Sequence, residues 1–371
     1  VPIKSDTPTL IRSRVADAWP GTTLMAEPTP LTGGFWASMY RLRLEGQPVS
    51  VPADVVLRIA PDAAMGAKEL AVQHAIADQG FATPRVRLTG PVDDELGGIW
   101  SITDFATGNS PLGDLNGIGA LRRAPRLPRQ LAEPMAALHA LDPEPVTSAV
   151  ATNAPTVAWT VGHLLEHFET ASDVLHRPDL VAAVRSLAER RPPEGSTVIC
   201  HGDLHPFNLL VDDAGHVTVI DWTAAIRAEP AYDVAFTSML VANPPLTAPG
   251  PLGAVIGWVG QRLAGRFVAR YREAAPGHDL TSLDWYRALR SARILIEAAT
   301  IEARRGSAGA HPFQTLVPAA TLMLSSVAGT RIRNLNRPGF DGCSSSWVPG
   351  TGSGPGSGSG SGTLRLARRQ R

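Results

Sequence analysis

Asp203, Asn208 and Asp221 carry oxygen donors within a short stretch, in the run His201-Gly-Asp-Leu-His-Pro-Phe-Asn208 and, thirteen residues later, in Val-Ile-Asp221-Trp. A carboxylate can orient and deprotonate a hydroxyl, and further hard oxygens can hold Mg²⁺ on nucleotide phosphates, which are the parts phosphoryl transfer needs. The same segment offers a second chemistry. His201, Asp203 and His205 alternate as His-x-Asp-x-His, and on an extended backbone such residues can face one zinc or iron ion in a metal-dependent hydrolase. No second His/Cys cluster with ligand spacing accompanies them among the ten histidines. Nucleophilic hydrolysis has no Gly-x-Ser-x-Gly elbow to support it, and Cys200 reads as a small buried strand residue.

These polar residues sit where short apolar runs meet turns. Val198-Ile-Cys200, Asn208-Leu-Leu-Val211 and Val217-Thr-Val-Ile220 predict a compact strand-rich island inside an otherwise helical region. Ahead of the island, apolar spacings of three and four predict helices in 127–142, 159–176 and 179–191; after it they predict helices near 232–241, 252–273, 282–302 and 313–333. The beginning of the chain differs. A first helix over 5–19 precedes two alternating runs, 39–46 and 55–61, that predict a hairpin; a helix over 63–79 closed by Gly80 then leads to two more strands, 84–90 and 98–108. One helix and about four strands make a small α+β unit.

The runs HGDLHPFN, VIDW and EPAYDVA together resemble the signature of the aminoglycoside phosphotransferase and choline kinase-like family of small-molecule kinases. The Asp203 to Asn208 interval equals that of the kinase catalytic loop H-R-D-x-x-x-x-N. The resemblance spans Leu31 to about Arg333 and is strongest between Val198 and Phe236. It implies an α+β, protein-kinase-like two-lobe fold: a strand-rich N-lobe over 1–105, a mainly helical C-lobe with the catalytic loop and acceptor site over 106–340, and a Gly/Ser-rich disordered tail over 341–371. Asp203 would be the catalytic base, Asn208 and Asp221 the Mg²⁺ ligands, His201 a support of the loop and Asp233 a tie between helix and loop. ATP or GTP would be the co-substrate and the hydroxyl of a small molecule the acceptor. Gly33 and Gly34 would form the turn that covers the nucleotide, since glycine lets backbone approach phosphate closely. Main-chain groups of Thr103, Asp104 and Phe105 would receive the purine edge.

The main departure from the kinase pattern is Arg58, which stands where a protein kinase presents its phosphate-binding lysine. Guanidinium can grip phosphate oxygens in bidentate fashion, and Glu69 on the following helix would hold it. Lysine occurs only at Lys4 and Lys68, and Lys68, adjoining Glu69 on a helix, should point elsewhere. Phe207, where the family often has a small residue, is expected to fill space under the loop, the alternative being that it walls the acceptor pocket. A catalytically degenerate nucleotide-binding scaffold is a further alternative, against which stands the presence of all three core polar residues.

Thirty-four basic residues balance thirty-four acidic ones, so no global field draws the 371-residue chain to nucleic acid or to an anionic membrane. No apolar run is long enough to span a bilayer, and the first residues lack a secretory pattern, which places the protein in the cytoplasm. Cys200 and Cys343 form no disulfide framework. Over 223–334, the expected acceptor side, seven acids face twelve arginines, unlike a trap for a polycation. A neutral, amphipathic or weakly charged acceptor fits better, with antibiotic-like compounds, sugars and amino alcohols open. Oligomeric state is left as monomer or weak dimer.

Overall fold

Alternating apolar residues in Ser38–Glu45 (β3) and Asp54–Ala60 (β4) bury one face of each strand and pair them antiparallel, Ser38 opposite Ile59 and Arg43 opposite Asp54. The computed structural model describes residues 7–31, 37–112, 122–244, 251–305 and 314–333. Around the central pair, β1 (Thr23–Leu24), β2 (Thr29–Leu31), β5 (Val86–Asp93) and β6 (Gly98–Asp104) complete a six-stranded sheet of order β1-β3-β4-β6-β5, with β2 pairing on β3. Helix α1 (Thr7–Ala18) supplies Ile11 and Val15 to the sheet core, together with Leu42, Leu44, Val55, Leu57, Trp100 and Ile102.

Helix α2 (Ala63–Asp78) begins sharply because the Asp62 carboxylate accepts from the backbone N–H groups of Ala64 and Met65, satisfying two donors that a first helical turn leaves open. Its Ala71, Val72 and Ile76 pack with the larger helical core rather than the sheet core. The helix is thereby held by one part of the fold while it delivers Glu69 to the other.

The remainder is helical: α3 (Leu127–His139), α4 (Pro143–Asn153), α5 (Val161–Val174), α6 (Pro178–Glu189), α7 (Ala231–Ala242), α8 (Pro251–Ala274), α9 (Leu283–Arg305) and α10 (Val317–Ala328). Between α6 and α7 lie β7 (Val198–Cys200), β8 (Leu209–Val211), β9 (Val217–Val219) and β10 (Ile226–Ala228). β8 pairs β9 as a hairpin and β10 returns antiparallel to β7. α7 is buried on every face through Val241, as an apolar helix crossing a core should be, and this carries Asp233 into the interior.

The α+β division follows the sequence expectation, but β1 and β2, of two and three residues, add to the four strands expected, and three further differences stand out. α4 was not anticipated: Val146, Thr147 and Val150 are weak helix formers, and the helix rests on the Asp142 cap and the Pro143 start. β10 was also missed, since three residues carry no periodicity. α10 stops at Gly329, which adopts φ +66, rather than continuing to Arg333. Packing separates Val1–Arg337 from Pro338–Arg371, and the latter, with Cys343 and the Gly/Ser run, lies outside the described residues. No described helix is long and apolar enough to cross a membrane.

Candidate active site

The β8/β9 register assembles the oxygen donors. Leu209 lies opposite Val219, and the Ile220 N–H donates to the Asn208 carbonyl (3.0 Å), so Asn208 and Asp221 emerge at the same end of the hairpin. The Asn208 amide Nδ2 donates to the Asp203 carbonyl (2.9 Å), which fixes the side chain and leaves Oδ1 as its acceptor end. Asp221 adopts φ +68, a conformation uncommon outside glycine that aspartate tolerates better than most residues. Trp222 behind it is fully buried, donates to Thr83 Oγ1 (2.9 Å) and packs its ring 4.7 Å from His201.

The loop bearing Asp203 hangs on Asp233. Both carboxylate oxygens accept backbone donors, from His201 N and Gly202 N at 2.7 Å each, and one also accepts from His139 Nε2 (3.1 Å). Burial works against ionisation of Asp233, but His139, His201 and the Gly202 amide overcome it and hold the carboxyl below its ordinary range. His201 donates from Nε2 to the Ile220 carbonyl (3.0 Å) and accepts at Nδ1 from the Asp203 N–H (3.2 Å), a pattern that selects the neutral Nε2–H tautomer. Burial lowers its pKa in agreement.

Asp203 itself is partly exposed. Burial pushes its carboxyl up, but nearby His205, Arg293 and Arg290 outweigh that and hold it below the ordinary range, so it is ionised at neutral pH. His205 Nε2 stands 3.6 Å from Oδ2, too long for a hydrogen bond.

Arg58 on β4 meets Glu69 on α2 at 2.8 Å. Thr223 extends the pair: its Oγ1 accepts from Arg58 Nη2 (3.2 Å) and lies 2.7 Å from Asp221 Oδ1 and 3.1 Å from Glu69 Oε2, either of which can take its single proton. Burial raises the Glu69 carboxyl above its ordinary range, with Arg58 opposing the shift and Asp221 adding to it. The arrangement links an arginine on the sheet to the Asp221 turn through one hydroxyl.

Several sequence expectations change. The Asp104 and Phe105 N–H groups already donate to the Arg85 and Asp54 carbonyls, and the Asp104 carboxylate takes two bonds from Arg87. Thr103 is paired within the sheet. Of the amides that follow Phe105, Ala106 N and Thr107 N bond to no other described residue. Gly33 and Gly34 lie outside the described residues, in the connection between β2 and β3. Lys68 points inward, donating to the Ala225 carbonyl (3.0 Å), and burial with the nearby Arg293 lowers its pKa to about 8. Phe207 is 43% exposed and does not fill space beneath the loop. The His201/Asp203/His205 metal reading has no geometry behind it, because both His201 nitrogens are committed to the backbone and His205 Nδ1 accepts from Phe207 N. Three partners were missed from sequence, Thr223, His139 and Arg290, of which only Thr223 had a local signal, standing two residues after Asp221.

Asn208 Oδ1 and the Asp221 carboxylate are hard oxygen donors, the chemistry Mg²⁺ prefers, so the residues present fit that ion. No curated protein matches the sequence. Among solved structures, the chain is similar to a Ralstonia eutropha JMP134 protein provisionally described as an aminoglycoside phosphotransferase, at 17% identity and TM-score 0.63, covering 87% of this chain and 98% of that one. A thermostable variant of aminoglycoside phosphotransferase APH(4)-Ia, in ternary complex with ADP and hygromycin B, aligns at 18% identity and TM-score 0.55, covering 86% and 98%. A macrolide 2'-phosphotransferase type I aligns at 18% identity and TM-score 0.52, covering 87% and 98%. At these identities the likeness establishes the fold, the two-lobed kinase-like one. The family described as "Phosphotransferase enzyme family" matches residues 27–291, well over half the sequence, and the chain belongs to that family.

Proposed function

We propose that this chain transfers the γ-phosphate of ATP to a hydroxyl of a small molecule. The observation that carries the reading is the convergence of Asp203, Asn208 and Asp221 on one loop and hairpin end, with Arg58 tied to the same turn through Thr223. Asp203, ionised and partly exposed, is the group to accept the proton of an attacking hydroxyl and hold it in line. Mg²⁺, when bound, would neutralise charge on the nucleotide phosphates, with Asn208 and Asp221 as its protein ligands. Arg58, oriented by Glu69, has a guanidinium suited to phosphate oxygens. The purine edge meets main chain at Ala106 and Thr107, past the residues first assigned to it. ATP is preferred to GTP because related structures hold ADP or AMP-PNP. An ATP-consuming enzyme of this kind belongs in the cytoplasm.

For the acceptor, the groups acting on Asp203 are cationic or neutral: His205, Arg293 and Arg290. With seven acids against twelve arginines over 223–334, the acceptor side favours a neutral or weakly charged hydroxyl compound over a polycation. The test is a transfer assay with γ-labelled ATP and Mg²⁺ over macrolides, sugars, amino alcohols and aminoglycosides. Label transfer to a neutral or weakly charged acceptor, abolished in Asp203→Asn although the variant still binds MgATP, supports the reading. Transfer that persists in Asp203→Asn removes Asp203 as the base, and preference for polycations overturns the acceptor class.

A further inference from the structure

Arg290 on α9 is buried to 1% exposure, yet its partners among the described residues include no carboxylate. Nη1 donates to the Tyr232 hydroxyl and Nη2 to the Gly202 carbonyl, each at 2.5 Å, while Nε has no partner. The guanidinium lies over the rings of Tyr232 (4.6 Å) and Phe236 (4.3 Å). Removing a guanidinium from water with no carboxylate in hydrogen-bond contact is unfavourable even with the Asp203 charge nearby, and well-packed apolar side chains commonly replace buried charges with no loss of stability. Packing alone therefore does not account for an arginine here.

The bond to Gly202 does. The Gly202 carbonyl and the Asp203 N–H belong to one peptide unit. Arg290 holds its oxygen, and His201 Nδ1 accepts from its N–H at 3.2 Å. The preceding N–H, that of Gly202, donates to Asp233 Oδ1 at 2.7 Å. Gly202 has φ +76, and a Cβ on it would stand 2.1 Å from the Ala224 carbonyl oxygen, so only glycine fits at this turn and its peptide is held by hydrogen bonds rather than by a side chain of its own. The next atom along the chain is the Cα that carries the Asp203 carboxylate.

We propose that Arg290 is a positioning residue, which fixes the plane of the Gly202–Asp203 peptide and through it the direction of the Asp203 carboxylate. The proposal rests on the phosphotransfer reading above. Without the guanidinium, the carbonyl is left buried without a donor and the peptide is free to rotate toward one. A displacement of about 1 Å at a catalytic group is enough for a loss near 10²-fold in turnover. Nucleotide affinity, which depends on Arg58, Asn208 and Asp221, stays as it was.

The experiment compares Arg290→Met, Arg290→Lys and Arg290→Gln with wild type in the full chain, using MgATP as probe. Calorimetry gives its Kd, slow hydrolysis by water gives kcat, and hydrogen–deuterium exchange follows the 198–208 segment. For Arg290→Met the expected result is a fall in kcat of about 10²-fold with Kd within about twofold of wild type, and faster exchange in that segment. Arg290→Lys, whose ammonium can reach the carbonyl, recovers at least about tenfold of the loss. If Arg290→Met does not fold, kcat in the order wild type, Lys, Gln at equal Kd supports the role. A folded Arg290→Met with kcat within about threefold of wild type overturns it, as does a fall in kcat and affinity together or a Lys variant no better than Met or Gln. Should wild type neither bind nor hydrolyse MgATP, the phosphotransfer reading fails; exchange then decides the peptide link separately, unchanged rates in the variants overturning it and faster rates upholding it.

Discussion

Replacing Asp233 with asparagine tests how much of the active-site geometry hangs from one buried carboxylate. In the native protein its oxygens accept from His201 N, Gly202 N and His139 Nε2. Asparagine has one acceptor oxygen. If that oxygen keeps His201 and His139, the new amide nitrogen faces the Gly202 N–H, and donor meets donor. One buried donor is then orphaned, which costs about 1–3 kcal/mol, and two charge-assisted bonds become neutral ones at about 1 kcal/mol each. The sum is a loss of about 3–5 kcal/mol, which for a 371-residue chain at about 2.1 cal/mol/K of unfolding entropy per residue is a fall in Tm of about 4–7 °C. The sign of the pH dependence follows from the depressed pKa. A carboxyl held below its unfolded value contributes stability that is present above that value, about 3.9 for aspartate, and is lost as pH falls through the folded value. The gap between wild type and Asp233→Asn should therefore narrow on acidification below pH 4. Calorimetric melts at neutral and acid pH measure both effects. A variant within about 2 °C of wild type at pH 7 would refute the assignment of Asp233 as the anchor of the loop.

Thr223→Val keeps the shape of the side chain but removes the hydroxyl shared by Arg58, Glu69 and Asp221; a net loss of about 1–2 kcal/mol corresponds to a Kd for MgATP raised about 5- to 30-fold, and calorimetry showing unchanged affinity would exclude the bridge from the nucleotide site. Lys68 has a folded pKa of about 8, so the unfolded chain binds more protons between there and its ordinary 10.5; the stability of wild type relative to Lys68→Met should rise by about 1 kcal/mol per pH unit in that window, and parallel urea melts at pH 7.5 and 9.5 would contradict the burial. Truncation after Asn336 should move Tm by less than about 2 °C, whereas a larger fall would show that the Gly/Ser segment contributes to the fold.

What was legible in the sequence was local. The 201–208 run and Asp221 announced their chemistry because the residues that perform it are close in the chain, and the hairpin bringing Asn208 to Asp221 is itself short. Arg58 and Glu69 were paired on the resemblance, and the structure brings them to 2.8 Å. The supports of the site were not legible. Arg290 donates to Gly202 across 88 residues, from a helix whose Arg287 and Arg293 are only half-buried, and nothing in the local pattern separates it from them. His139, at the end of α3, reaches Asp233 across 94 residues. Lys68 points away from the Arg58–Glu69 pair as expected, but its partner, the Ala225 carbonyl, stands 157 residues away and was not legible. That the Asp104 and Phe105 amides are taken by the Arg85 and Asp54 carbonyls is a fact of sheet register rather than of residue type, and it was not legible either.

The most direct test of the account is a thermal melt of wild type and Asp221→Ala with ATP, with and without Mg²⁺. At about one hundred times its Kd a ligand adds about 2.7 kcal/mol to the folded state, a rise of about 3–4 °C in Tm for a chain of this length. The account predicts that rise in wild type, dependent on Mg²⁺ and absent in Asp221→Ala. No rise in folded wild type, or an equal rise in the variant, would contradict it.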